Sequence, residues 1–213
     1  MAEDILEGAS PTRMELLHVK NRLRLAEKGH RLLKEKRDTL LSEFMKVARE
    51  AGEVGRKAAA QMESARHAYA VSSALAGANQ VEQAALASEP DLEAEVGFRN
   101  VMGIQLPIIT LEARLRNIDQ RGFGLITTHP SIDAAAAEYE KAVSEMITLA
   151  QTEQSLLLLS TEVKKTKRRV NALEYRVIPR LRNTQKYIRM RLEEFEREGF
   201  TRRKLVKKKR AGK

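Results

Sequence analysis

Imidazole chemistry needs histidines brought together, most simply at i, i+4 on one helix face. His18, His30, His67 and His129 have no such spacing, and none belongs to an HExxH motif. There is no cysteine, so thiolate nucleophiles, thiolate metal sites and disulfides have no residue to use. The glycine loops that cradle phosphate, GxxxxGK[ST] and GxGxxG, do not occur; Gly122-Phe-Gly124 is two glycines of local backbone geometry in a strand or turn. Carboxylates recur along helical stretches, but they sit four residues before arginines, as in Glu27/Arg31 and Glu193/Arg197. Such surface pairs contribute about 0.2–0.5 kcal/mol each. His30 falls on an apolar stripe, where a polar residue sets register. No catalytic residue, cofactor site or metal site is expected, and the chain reads as a non-enzyme.

The charge that does stand out is positive. The segment Lys164–Arg191 holds eleven basic residues and one acid, Glu174, and residues 201–213 add eight basic residues and no acid. Removing those eight from the formal +10 leaves 10 − 8 = +2 for the other 200 residues. The stretch fits a solvated helix back, a phosphate-neutralising face, or a cationic face toward acidic proteins. Tyr175 and Tyr187 alone make a poor platform for stacking bases.

Long helices must carry these residues. Of 213 residues only 4% are aromatic, with no Trp, which is thin for a globular core. Ser10-Pro11 suits a helix start, Ser as cap and Pro at the first helical position. A 3,4 spacing then runs through Leu16, Val19, Leu23, Ala26, His30, Leu33, Arg37, Leu40, Phe44 and Val47, and continues from Ala51 to Leu75 with mostly alanine. An apolar seam every 3.5 residues is the pattern of a left-handed coiled coil. A second seam starts near Ile132, Tyr139, Val143 and Met146. It continues through Leu156, Leu159, Val163, Thr166, Val170, Leu173, Val177, Leu181, Thr184, Ile188, Leu192 and Phe195. Its step from Val177 to Leu181 is four where the heptad expects three, and Pro179 there predicts a kink.

Between the seams the period changes. Residues 80–96 carry five acids and no base and fit a short helix or loop. Residues 96–110, rich in β-branched side chains, fit a strand or two. A further helical stretch is expected at 111–120, and a β-hairpin pairing about 96–110 with 121–128. The expected fold is mainly α, a long antiparallel two-helix coiled coil with a small central segment containing that hairpin. The expected organisation is a disordered N-terminus at 1–10, an N-terminal coiled-coil helix at 11–76, a central segment at 77–130, a C-terminal coiled-coil helix at 131–200 and a basic tail at 201–213. Each long helix would extend about 95–100 Å at 1.5 Å per residue. No apolar run is long enough to span a membrane, and the acidic start lacks the layout of a secretory signal, so a soluble intracellular chain is expected.

Three segments, in order, resemble the D subunit of the vacuolar/archaeal-type rotary ATPases. Pro11-Thr-Arg-Met-Glu-Leu-Leu17 and Leu23–Asp38 are similar to that family's opening, Asn100-Val-Met-Gly-Ile-Gln-Leu-Pro107 to its middle. Arg168–Pro179 and Phe195–Leu205 are similar to its C-terminal signature. The resemblance implies a central-stalk rotor shaft that penetrates a ring of catalytic and non-catalytic nucleotide-binding subunits. It implies a small F subunit beside the shaft and a socket subunit seating it on the membrane rotor ring. Rotation would couple ATP hydrolysis or synthesis to ion translocation, with the chain peripheral on the cytoplasmic face of the membrane and not inserted in it. By position, Arg13, Arg197, Arg202, Arg203 and Lys204 would meet acidic loops of the ring. The alternative is a basic coiled-coil nucleic-acid-binding protein, which leaves the central β-like segment without a purpose; a scaffold or membrane tether would need an apolar lipid-binding face.

Overall fold

The computed structural model describes residues 10–88, 94–111, 121–123 and 128–211. The elements are α1 (Arg13–Ala76), α2 (Ala78–Ala87), β1 (Ala94–Val101), β2 (Ile104–Leu111), α3 (Pro130–Ala172), a π turn (Leu173–Val177) and α4 (Ile178–Ala211). The expected disordered start at 1–10 lies outside the described residues except for Ser10, as does the expected helical stretch at 111–120 beyond Leu111. The backbone divides into two compact units, one of residues 1–39 with 163–213, the other of 40–162.

Both long helices start on side-chain caps. Thr12, not Ser10, caps α1: the Glu15 N–H donates to Thr12 Oγ1 at 3.2 Å, and Thr12-x-x-Glu15 has the spacing of a capping box. Pro11 therefore precedes the cap and is not the first helical residue. At α3 the Ser131 N–H donates to His129 Nδ1 at 3.2 Å, and Pro130 takes the first helical position, where a missing N–H costs nothing.

In the first unit, α1 and α4 run antiparallel, since ascending residues of one meet descending residues of the other. Arg13 pairs with Glu196 at 2.7 Å, and Glu27 with Arg182 at 2.7 Å. The core is Val19, Leu181 and Ile188, with Leu16, Leu23, Ala26, Tyr187 and Leu192 packed on it. Val170 is buried as well, and Leu33, Val163 and Leu173 are half-buried.

One seam position moves. Val177 is 40% exposed, whereas Ile178 is 8% exposed and takes the inward place. The cause is the π turn: the Ile178 N–H donates to the carbonyl of Leu173, five residues back, which inserts one residue between inward positions. The inward step runs Leu173 to Ile178 and then to Leu181. Pro179, expected to kink a regular helix, sits on the second residue of α4 directly after this turn. Phe195 is exposed, and the basic residues from Arg202 to Arg210 lie within α4, so this stretch is helical.

In the second unit many of the packed positions are small. Ala58, Ala65 and Ser72 of α1 and Ile132, Ala135 and Ala142 of α3 are buried. An added Cβ on Gly55 would lie 3.7 Å from Leu149 Cδ1, an ordinary contact distance that marks α1 against α3. Leu40 and Leu159 are buried, Phe44, Val47 and Leu156 half-buried, and Leu75, Val143 and Met146 exposed.

The hairpin differs from its expected partners. β1 pairs antiparallel with β2 from Ala94↔Leu111 to Val101↔Ile104, so both strands come from the segment expected to supply one side. The two-residue turn Met102-Gly103 makes this possible, with φ of 55° and 88°. Positive φ at both positions is what a type I′ turn requires, and its twist matches the flanking strands. Asn100 Oδ1 accepts the Gly103 N–H at 2.9 Å. Arg121–Phe123 form a bend, and 124–127 lie outside the described residues.

Candidate interaction faces

The side chains singled out by charge lie in the first unit. Arg13 is engaged by Glu196, and Arg202 lies 3.6 Å from Glu198. Arg203 Nε donates to its own helix at the Gly199 carbonyl, 3.1 Å away. Arg197 and Lys204 are exposed on α4 and meet no carboxylate among the described residues. A groove along this end of α4 is lined by Arg202, Arg203, Val206, Lys207 and Arg210, four cations among them and no acid. The arrangement can bind anionic protein surface electrostatically; it holds no pair of groups set to transfer a proton or attack a carbonyl.

A second basic groove lies at the π turn. It encloses about 1140 Å³ and is lined by Arg22, Arg176 and Arg180 with Leu25, Tyr175 and Val177. The extra residue of the π turn turns Tyr175 outward to 71% exposure, beside Leu25 at 72%. Tyr187, by contrast, is half-buried with the Arg191 guanidinium 5.9 Å from its ring centroid, so its face is taken. The two tyrosines do not form a stacking track.

Inside the same unit two polar seam positions differ in how they are satisfied. Thr184 is fully buried, and its hydroxyl donates to the Arg180 carbonyl at 2.8 Å. His30 lies half-buried with Nε2 3.5 Å from Glu174 Oε2, near the one acid in the basic stretch but making no hydrogen bond to it.

The second unit holds a cluster that residue spacing did not reveal. Arg121, 4% exposed, donates through Nη1 to the Asp133 carboxylate and to the Asp133 carbonyl, the latter at 3.0 Å. Its Nε and Nη2 reach the two oxygens of Glu140 at 3.3 and 3.1 Å. Burial opposes the charge on Arg121, but its hydrogen bonds to Glu140 and Asp133 outweigh it and raise the pKa above the ordinary value. The guanidinium ties the bend before α3 to the first turns of that helix. It borders a cavity of about 450 Å³ lined by Tyr69, Ser72, Phe123, Tyr139 and several alanines. Arg121 is 12 and 19 residues from its partners, so the pairing has no short-range sequence signature.

Among the described residues no group of three His, Asp or Glu side chains could hold a metal ion, and no helix is long and apolar enough to cross a membrane.

Comparison with known proteins matches residues 15–208 to the family of ATP synthase D subunits. The chain is 44% identical over 207 residues to the D subunit of an A-type ATP synthase from Thermococcus gammatolerans, covering 97% of this chain and 96% of that one. It is 42% identical over 212 residues to the protein of the same name from Methanopyrus kandleri, covering 97% and 89%. The Methanobrevibacter smithii protein of that name is 41% identical over 207 residues, covering 97% and 90%.

Proposed function

The chain belongs to the family of ATP synthase D subunits, and from that premise we propose that it is the non-catalytic central-stalk rotor of an A-type ATP synthase. In this reading it transmits torque between nucleotide turnover in the catalytic ring and ion translocation in the membrane. One observation carries most weight: the family match spans both helices of the antiparallel pair, which pack through a buried apolar seam of Val19, Leu181 and Ile188. Side chains that interlock in this way resist twisting of one helix about the other, which a torque-bearing element needs. Partners in this reading are the two kinds of nucleotide-binding ring subunit, a small F subunit of the stalk and a socket subunit on the membrane ring. The chain would sit peripherally on the cytoplasmic side.

Arg197 and Lys204, with Arg13, Arg202 and Arg203, are the proposed contacts to acidic ring loops. Exposed charges of this kind can act in steering and orientation without locking one position. The test is a reconstituted ring assembled with this chain, bearing alanine at all five positions. The expected outcome is lower ATP turnover and a weaker response to added rotor, with helix content unchanged by circular dichroism. Unchanged turnover would remove the ring-contact assignment. For the rotor role itself, nuclease-treated native lysate should yield two nucleotide-binding subunits in equal amounts on this chain as bait; failure to recover them would remove it.

A further inference from the structure

We infer that the free edge of β1 is a self-complementary docking strand, and that the unassembled chain pairs through it with a second copy of itself. The sheet has two strands, and its two edges are treated differently. On the β2 side the outward N–H of Ile109 donates to Gln151 Oε1 of α3 at 2.8 Å, and Leu106 is buried. On the β1 side every residue from Ala94 to Asn100 is exposed, and among the described residues no further strand pairs with it.

The phase of the ladder says which groups are open. Ile109 points its N–H away from β1, so its opposite residue Val96 points its own N–H and C=O away from β2. Ala94, Phe98 and Asn100 share that phase. The open edge therefore offers four residues' worth of backbone donors and acceptors. It also offers two large apolar side chains, Val96 at 59% and Phe98 at 66% exposure. Folded proteins rarely leave an edge of this length flat and apolar, because it templates another strand.

Charge selects the second strand. Glu95 and Arg99 lie on the opposite face from Val96 and Phe98, with Gly97 midway between them. An antiparallel second β1 centred on Gly97 sets Glu95 opposite Arg99 of the other copy, twice. It sets Val96 opposite Phe98 of the other copy, also twice. The outward-pointing residues then meet outward-pointing residues, as the hydrogen bonding demands. Sliding one permitted step either way sets Glu95 or Arg99 opposite glycine and loses both charge pairs. One register satisfies backbone, charge and apolar contacts together, and it yields a continuous four-stranded sheet around a two-fold axis.

The chain has no cysteine, so the register can be tested directly in the full-length protein. On the axis, Gly97 would face its own copy as a non-hydrogen-bonded pair with Cα atoms about 4.5 Å apart, within disulfide reach. A Cβ at Gly97 meets nothing closer than the Ile108 carbonyl at 3.8 Å, so Gly97→Cys is accommodated. Gly97→Cys should cross-link to the dimer under mild oxidation. Ala94→Cys, whose copies would stand about 20 Å apart, should not. Sedimentation velocity should give twice the single-chain mass for the native chain, the single-chain mass for Glu95→Arg, and recovery of the dimer in the Glu95→Arg/Arg99→Glu exchange. A native chain with single-chain mass at every concentration overturns the inference. So does cross-linking of Ala94→Cys as readily as Gly97→Cys, or protection of β1 amides only in the assembled synthase.

Discussion

Gln61 Nε2 donates to Glu138 Oε2 at 2.7 Å across the helices of the second unit, and Ser64 Oγ donates to the same oxygen at 3.0 Å. Gln61 is a polar residue at an inward seam position, and the carboxylate of the facing helix satisfies it. Such a pair fixes the register of two helices whose other contacts are mostly alanine.

That contact has a pH signature. The Glu138 carboxyl is held below its ordinary value by hydrogen bonds from Lys141 first, then from Gln61 and Ser64. A folded pKa below the unfolded one adds stability that is fully present above the unfolded value and is lost as pH falls through the folded value. Glu138→Gln should therefore lower the melting temperature at neutral pH. Its difference from the native chain should shrink as pH falls below the ordinary Glu value of roughly 4.3 toward the lower folded value. Melting curves across that range decide it; a difference that stays constant with pH would remove the assignment.

The π turn predicts an exchange of sensitivities between adjacent residues. Ile178→Ala removes buried methyl groups and should cost about 2–4 kcal/mol. Val177→Ala, on the exposed side of the turn, should cost about 0.5 kcal/mol or less. Thermal or urea unfolding of the two variants gives the order. The reverse order would mean that the seam passes through Val177 without the inserted residue.

Much of the fold was legible in the sequence because its cause is periodic. The positions Leu16, Val19, Leu23 and Leu40 declare an inward face by spacing alone, and the structure buries or half-buries all four. The π turn was visible only as a wrong step near Pro179, since spacing shows that a residue has been gained but not which hydrogen bond absorbs it. The hairpin was misplaced because Val101-Met102-Gly103-Ile104 lacks the Asn-Gly pair that marks a type I′ turn, Met102 standing where Asn is favoured. Thr12 was overlooked as a cap because Ser10-Pro11 matched a commoner pattern two residues earlier. The Arg121 cluster could not be found from spacing, because its partners are joined by tertiary packing.

Met102 gives the third prediction. A non-glycine residue at positive φ costs about 1 kcal/mol, and less for Asn than for Met. Met102→Asn restores the favoured turn pair and should slow amide exchange at Val101 and Ile104. Gly103→Val should speed exchange there, since a β-branched side chain at φ 88° is strained. Equal exchange in the two variants would show that the turn is not what closes this hairpin.

Arg121 gives the fourth. Its guanidinium meets two carboxylates and a backbone carbonyl, so its charge and its fork of donors are both used. Breaking a buried pair from one side typically costs about 3–5 kcal/mol. Asp133 and Glu140 keep 27% and 18% of their side-chain exposure, so Arg121→Met should fall at the low end, about 3 kcal/mol. Arg121→Lys keeps the charge but loses the fork, and it should recover only part of that stability. Adding Glu140→Gln to Arg121→Met should cost less than the sum of the two single changes, because the contact between these two side chains is already gone in Arg121→Met. Urea denaturation of the four proteins completes the cycle. Full rescue by lysine would show that Arg121 acts there as a point charge, and additive costs would show that it does not act through Glu140.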